Sequence, residues 1–358
     1  MHSLFSIRSG GSVVLSVSWK IVYRYMLMVK RKMVMSMSKE KQQSVAAVMG
    51  LVVGDALGVP VEFQSRWELE SNPVTTMRGY GTYNQPPGTW SDDSSMTVAT
   101  MEWIGEMKKN EPDYNLLMDK FLRWKRKGDY TPYQQLFDIG NATRNAIEKY
   151  SRGHKPLECG GKYEKDNGNG SLMRILPVAI KYNKELSGEN MSEVEKIYDA
   201  SSVTHAHARS KVGCLIYSKI VADIMNNPNM AKFENVEKSL LACRKYLESV
   251  YDMELKNEQE SYCRLWNLQE FCDLEEADIK SSGYVVHTLE AAIWCFLNTD
   301  NYKDCVLKAV NLGEDTDTVG AVVGGLAGLY YGYDEIPKEW LDTIPKRDWI
   351  EELALKLV

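Results

Sequence analysis

Residues 313–332 read GEDTDTVGAVVGGLAGLYYG, an acidic turn running straight into an apolar, glycine-rich helix. Gly320, Gly324 and Gly328 recur every fourth residue and so share one helix face, where the missing side chains let another helix approach closely. That spacing reads first as tight helix packing; the stretch is too short for a membrane dimer motif. The turn before it, Glu314-Asp315-Thr316-Asp317-Thr318, concentrates carboxylates and hydroxyls. Like charges so close are costly unless a cation joins them. Oxygen-rich sites suit hard cations such as Mg²⁺ or Mn²⁺ better than zinc.

Working outward, apolar residues repeat at three- and four-residue steps through most of the chain from Lys39 onward. Ile139, Ala142, Ala146, Ile147 and Tyr150 follow this period, as do Val212, Leu215, Ile216 and Ile220. Leu240, Leu247, Val250 and Tyr251 continue it, and so do Val286, Leu289, Ile293, Phe296 and Leu297. Alternating runs bounded by turns are scarce, which predicts an all-α fold. Residues 226–282 are the least patterned part of the body and read as a surface elaboration with weak helices. The long polar stretches 78–94 and 158–171 are glycine-rich, and long loops in a helical domain are usually functional or disordered.

A second acidic turn, Ser91-Asp92-Asp93-Ser94, opens the helical run through Met96, Ala99 and Trp103. Alone it is an ordinary helix cap. Paired with Asp315 and Asp317, and with the hydroxyls of Ser91 and Thr318, it completes the oxygen inventory of a two-metal site. Asp55, in Gly54-Asp55-Ala56-Leu57-Gly58, interrupts an apolar helix and must be paired or bind something. Glu62 follows Pro60 at that helix's exit. In the 166–174 stretch DNGNGSLMR, the glycines would let backbone N–H groups approach a phosphate, with Ser171 capping the next helix. The alternative there is a plain flexible turn. His205 and His207, read as two apart on a helix, face different ways and make poor joint metal ligands; one is a substrate contact or a buried core histidine.

The chain has 358 residues with a formal charge of -6, which gives no reason to expect a nucleic-acid partner. Residues 1–38 carry Arg8, Lys20, Arg24, Lys30, Arg31 and Lys32 with no acid, so a basic arm precedes an acidic body over 39–358. Lys20 and Arg24 interrupt any secretory core, and no uncharged run is long enough to span a membrane. Seven cysteines without a C-x-x-C pair read as reduced thiols of a cytoplasmic protein.

Together GLVVGDALGVPVEF, GTWSDDSSMTVA, NGNGSLMRILPVAI, THAHARSK and NLGEDTDTVGAVVGGLAGLYYG resemble, in this order, the ADP-ribosylglycohydrolase family, over roughly residues 43–340. The resemblance implies a compact orthogonal bundle of many helices with a dinuclear Mg²⁺ or Mn²⁺ centre in a cleft. It implies Ser91, Asp92, Asp93, Asp315, Asp317 and Thr318 as metal ligands, with Asp92 and Asp317 also catalytic. Glu62 matches an acidic residue with catalytic or water-positioning duty. Asn169, Gly170, Ser171 and His205 match segments that line the ADP-ribose pocket. Ser94 stands where threonine is common and Glu314 where a smaller or different residue is often found.

The implied activity is removal of ADP-ribose from a modified protein, arginine-linked above other acceptors. Three rivals stay open: a Mg²⁺-dependent nucleotide phosphohydrolase, a non-catalytic ADP-ribose binder, and an immunity protein that also blocks an ADP-ribosyltransferase. For the last, the basic arm with Trp19, Tyr23 and Tyr25 would supply the contact. The bland reading of residues 1–38 is a mis-assigned start, with Met35 or Met37 as the true first residue.

Overall fold

The computed structural model describes residues 38–107, 111–188 and 191–358. The basic arm expected over residues 1–38 therefore lies outside the described residues, save Ser38. Among the described residues the fold is all-α, and the only sheet-like pairing is two isolated bridges, Gly161 with His205 and Gly168 with Tyr284.

Eight helices of eleven residues or more carry the architecture among the described residues. They are α1 Lys39–Gly58, α2 Asp92–Gly105, α3 Tyr114–Lys127, α4 Asn141–Ser151, α5 Ala208–Asn226, α6 Lys232–Ser249, α7 Val285–Leu297 and α8 Thr316–Tyr331. Helices α1, α5 and α8 are buried on nearly every face, so they read as apolar all round and form the centre. Helices α3 and α4 bury one stripe each and lie outside, α3 ending at Gly128 in the left-handed region (φ 67°). Helix α8 packs on α7 and α2, and α5 packs on α6 and α7. The segment Lys39–Val61 is long and apolar enough to cross a membrane, its most apolar 18-residue stretch having a mean hydropathy of 1.8, but 94% of that stretch is buried inside the protein. It is a core helix.

The glycine face of α8 meets a matching glycine face on α1. Gly50, Gly54 and Gly58 are also spaced by four. A Cβ built on Gly54 would sit 2.0 Å from the Gly320 carbonyl oxygen, and one on Gly50 would sit 2.3 Å from that of Gly324. From the other side, a Cβ on Gly324 would lie 2.3 Å from the Gly50 oxygen and one on Gly328 2.3 Å from the Ala46 oxygen. The two backbones are in contact, with no room for a methyl group. The hydroxyl of Thr316 donates to the Gly58 carbonyl at 2.8 Å and ties the start of α8 to the end of α1.

The surface elaboration expected over 226–282 is corrected by the structure. Helix α6 occupies much of it, and Val236, Leu240, Cys243, Leu247, Tyr262, Leu265 and Phe271 are all buried. The segment's apolar residues are spread over several short turns, so no single period marks them in the sequence.

Gly54→Ala is expected to destabilise the protein. The substitution gains up to about 1 kcal/mol of helix propensity but overpacks a backbone contact, a change costing about 1–3 kcal/mol or more. Gly105→Ala serves as control, because its nearest neighbour would be the flexible Lys356 side chain at 3.5 Å. A lower urea midpoint for Gly54→Ala at unchanged slope, with no loss for Gly105→Ala, is the expected result.

Candidate active site

The end of α1 and the start of α8 are stitched by backbone. Phe63 N–H donates to the Glu314 carbonyl at 2.7 Å, and Glu314 N–H donates to the Gln64 carbonyl at 2.7 Å. Phe63 (φ 68°) and Glu314 (φ 60°) both take left-handed backbone to make this exchange. Directly after α1 a single 3-10 turn, Val59–Val61, delivers Glu62 into the interior, where it is 5% exposed. Glu314 itself is exposed at the surface.

Helix α2 is brought to the same place by Asp55. Its carboxylate accepts from Ser91 N–H at 3.0 Å, from Ser94 N–H at 3.0 Å and from the Ser94 hydroxyl at 2.5 Å. An aspartate on α1 thus satisfies orphan donors at the start of α2. Ser91 adds a local cap, its Oγ accepting from Asp93 N–H at 3.2 Å. The lone acid in an apolar helix is paired, as its burial demands.

Oxygen atoms of Asp55, Asp93 and Asp317 lie within 4.8 Å of one another, and those of Glu62, Asp138 and Asp317 form a second such group. Asp317 belongs to both. Thr318 Oγ1 is 3.3 Å from Asp93 Oδ1, and Ser91 Oγ is 3.2 Å from Asp93 Oδ2. Asp92 is buried beside them without entering either group. Asp315 stands at the edge, half-buried, and accepts from Asn169 Nδ2 at 2.8 Å; that amide also donates to Thr288 Oγ1 at 2.9 Å.

The electrostatics of this cluster are those of too many acids in too little water. Burial, then repulsion from Asp315 and Asp138, pushes the Glu62 carboxyl up to about 8. Burial raises Asp92, Asp93 and Asp317 well above the usual carboxylate range, with neighbouring acids adding to each. Asp55 is raised by burial to about 6, held back by its hydrogen bonds to Ser94 and Ser91. Glu62 Oε2 is buried with no hydrogen-bond partner. Hard oxygen donors converging in this way, one of them left open, fit a divalent cation.

The glycine loop and His205 form a second wall. Asn169 N–H donates to the Gly283 carbonyl at 3.0 Å, which holds the loop against the start of α7. A Cβ on Gly170 would stand 2.7 Å from His205 Cε1, so only glycine lets ring and loop touch. Two expectations are corrected here. Ser171 caps no helix; its hydroxyl is buried 2.9 Å from Ser201 Oγ and 3.4 Å from Cys214 Sγ. Nor do His205 and His207 share a helix. His205 sits in the bridge to Gly161, while His207 is the N-cap of α5, its Nδ1 accepting from Arg209 N–H at 3.1 Å.

The ADP-ribosylglycohydrolase family profile matches residues 36–358. The ADP-ribosylarginine hydrolase Tri1 of Serratia proteamaculans is 33% identical over 320 residues, covering 89% of this chain and 80% of that protein. The ADP-ribosyl-dinitrogen reductase glycohydrolase of Rhodospirillum rubrum is 29% identical over 84% of this chain and 90% of its own length. A solved chain of an ADP-ribosylglycohydrolase-related protein complex superposes with a TM-score of 0.69 at 30% identity, covering 90% of this chain and 98% of that one. The chain belongs to the ADP-ribosylglycohydrolase family. It is a hydrolase of glycosidic ADP-ribosyl bonds.

Two residues of this glycohydrolase site escaped the sequence reading. Asp138 completes the second carboxylate group, yet in Phe137-Asp138-Ile139-Gly140-Asn141 it looks like any acid ahead of a helix. Burial, then the nearby Glu62 charge, pushes the Tyr83 hydroxyl up, and its ring meets the Phe137 ring at 5.0 Å and a 50° tilt, joining the 78–94 loop to the site. The only sequence signal for it was the length and polarity of that loop.

Proposed function

We propose that this protein cleaves the N-glycosidic bond between ADP-ribose and an arginine side chain of a modified protein, using two Mg²⁺ ions for which Mn²⁺ can substitute. The observation that carries the metal part is the convergence of the 91–93 and 315–318 turns with Glu62 and Asp138 around Asp317. The arginine linkage is supported by the names of the Serratia relative and of a second Tri1 hydrolase from Pseudomonas putida.

Ser91, Asp92, Asp93, Asp315, Asp317 and Thr318 would hold the ions, with Asp138 added from the geometry. Bound there, a divalent cation neutralises the carboxylates, orients ribose hydroxyls and makes a nearby water more acidic. The protein's own groups do the rest. Glu62, beside Asp317 with one oxygen free, takes a proton from the attacking water. The water oxygen bonds to the anomeric carbon as the carbon–nitrogen bond breaks, through a transition state with oxocarbenium character. The linked guanidinium already carries its proton at neutral pH, so it leaves as the neutral guanidine while the proton lost by the water stays on Glu62. Asn169, anchored by Asp315 and Thr288, and Gly170, packed on His205, form the wall against which the ADP-ribose rests. The seven free thiols suit a cytoplasmic setting.

The test offers arginine-linked and serine-linked ADP-ribosyl substrates with and without Mg²⁺, and identifies the product by mass. Free ADP-ribose from the arginine-linked substrate, only with metal, is the expected result. Release of inorganic phosphate from a nucleotide instead would favour a phosphohydrolase. Asp317→Ala is expected to abolish turnover and to release metal, since both carboxylate groups lose their shared member. Full turnover by that variant in a chelator would sink the two-metal reading.

Glu62→Gln is expected to keep metal and ADP-ribose binding while kcat falls about 10²–10⁴-fold, the usual worth of an acid–base group. Lost binding with kcat intact would make Glu62 an anchor instead.

A second role draws on residues 1–38, where six basic residues, no acid and Trp19, Tyr23 and Tyr25 suit a protein interface. In this reading the arm engages carboxylates in the cleft of a cognate ADP-ribosyltransferase, making the hydrolase an immunity protein as well. A chain starting at Met37 should then retain hydrolysis and lose transferase binding by calorimetry. Equal binding by both chains would dispose of the arm.

A further inference from the structure

Behind the glycine loop lies a charged group that the hydrolytic chemistry above does not use. Arg174 is 0% exposed and has no carboxylate partner among the described residues. Its Nη2 donates to the Ala200 carbonyl at 2.9 Å and to Thr204 Oγ1 at 2.8 Å, while Nε and Nη1 have no partner. The guanidinium lies over the Phe121 ring, 4.9 Å from its centroid. A buried, unneutralised guanidinium costs several kcal/mol in general, so its presence asks for a reason.

Thr204 provides one. Its Oγ1 is 2.9 Å from His205 Nδ1 as well as being bonded to Arg174. A guanidinium can only donate, so the threonine oxygen accepts from Arg174. The hydroxyl proton then has one acceptor within reach among the described residues, His205 Nδ1. A neutral imidazole with a bare Nδ1 carries its proton on Nε2. The opposite tautomer would set two donors on Thr204 Oγ1 and leave its buried hydroxyl proton unpaired. Nε2 has no protein partner among the described residues and looks onto the glycine loop. Cβ atoms built on Gly170 and Gly168 would lie 3.2 and 3.7 Å from it.

We propose that Arg174 and Thr204 are positioning residues that lock His205 as the neutral Nε2–H tautomer, aiming one donor across the Gly168–Gly170 loop at a diphosphate oxygen of ADP-ribose. The ligand half rests on the proposed function; the tautomer does not. Arg174 contributes twice. It orients Thr204, and its buried charge lends the loop a positive field that favours an anion. Burial and that same charge push the His205 imidazole down to about 3, so the ring stays neutral at physiological pH. His205 is thus a binding group rather than a proton carrier.

Long-range ¹H–¹⁵N correlation of the imidazoles in the ligand-free, full-length protein tests the lock directly. The chain has five histidines, and the His205→Gln spectrum identifies the signal. The expected pattern is Nε2–H in the wild type and in Thr204→Ser, which keeps the hydroxyl, with a shift toward Nδ1–H or imidazolium in Thr204→Val. An Nδ1–H or charged ring in the wild type overturns the lock even where Thr204→Val fails to fold. Thr204→Val is also expected to weaken ADP-ribose binding by about 10- to 100-fold, the range for a hydrogen bond to a charged group, and to spare adenosine, which lacks the diphosphate. KM for the modified substrate should rise with kcat nearly unchanged, the mark of a contact made equally in ground and transition states. Equal loss for adenosine overturns the diphosphate assignment. Absence of hydrolysis with the tautomer intact would count against the proposed function alone.

Discussion

Everything at the site depends on two helices touching backbone to backbone. Because Gly50 and Gly54 face Gly320 and Gly324 with no side chain between them, α1 and α8 approach until a methyl group would collide with a carbonyl oxygen. The contact fixes the helices lengthwise as well as laterally. Gly58 lies against the Asp317 backbone and accepts from Thr316, so the last turn of α1 and the first turn of α8 share a level. Asp55 and Glu62 on one side and Asp315 and Asp317 on the other are therefore delivered to a common point. A wider spacing, such as leucine faces would impose (about 8–10 Å between axes in ordinary helix packing), would pull these carboxylates apart.

The fold accepts an electrostatic cost to hold that point. Asp92, Asp93 and Asp317 are buried, raised by desolvation and raised again by one another. Without a cation, such a cluster stays protonated or strains the helices that carry it. With one, the repulsion becomes attraction, and binding to the native state alone adds stability by mass action. The same logic runs in reverse at Arg174, a buried cation without a counter-charge among the described residues, behind the glycine loop. Acids gather where positive ions and ribose hydroxyls would sit, and a guanidinium lies near where phosphates would. Under the proposed function the two walls would match the two ends of an ADP-ribosyl group.

How much of this was legible in the sequence follows from what each residue does locally. The all-α fold was readable because α5 and α7 bury apolar residues at helical spacing. The two acidic turns were readable as a pair, because either alone can be a helix cap but the two together hold more carboxylates than capping needs. Asp138 was not, because a single acid before a helix is indistinguishable from a cap until a fold brings it to Glu62. The glycine face of α8 announced a close neighbour, but its partner on α1 became clear only when both were packed. His205 was read onto a helix that starts at Ala208; the bridge to Gly161 that places it is a long-range contact without a local signature. Ser171 had the right chemistry for a cap, yet its hydroxyl turned inward to Ser201.

Asp55 shows how the frame and the chemistry divide the carboxylates between them. It belongs to the group with Asp93 and Asp317, so proximity alone would make it a ligand. Its lone pairs tell otherwise. Three donors from Ser91 and Ser94 take up most of them, two being backbone N–H groups that cannot rotate away. Asp93 is contacted instead by the hydroxyls of Ser91 and Thr318, which can turn their protons aside and present oxygen. Glu62 keeps one oxygen wholly free. Under the proposed function, Asp55 therefore acts as the brace that holds α2 on α1, while Asp93, Asp317 and Glu62 retain the open valence that a cation or a water would use.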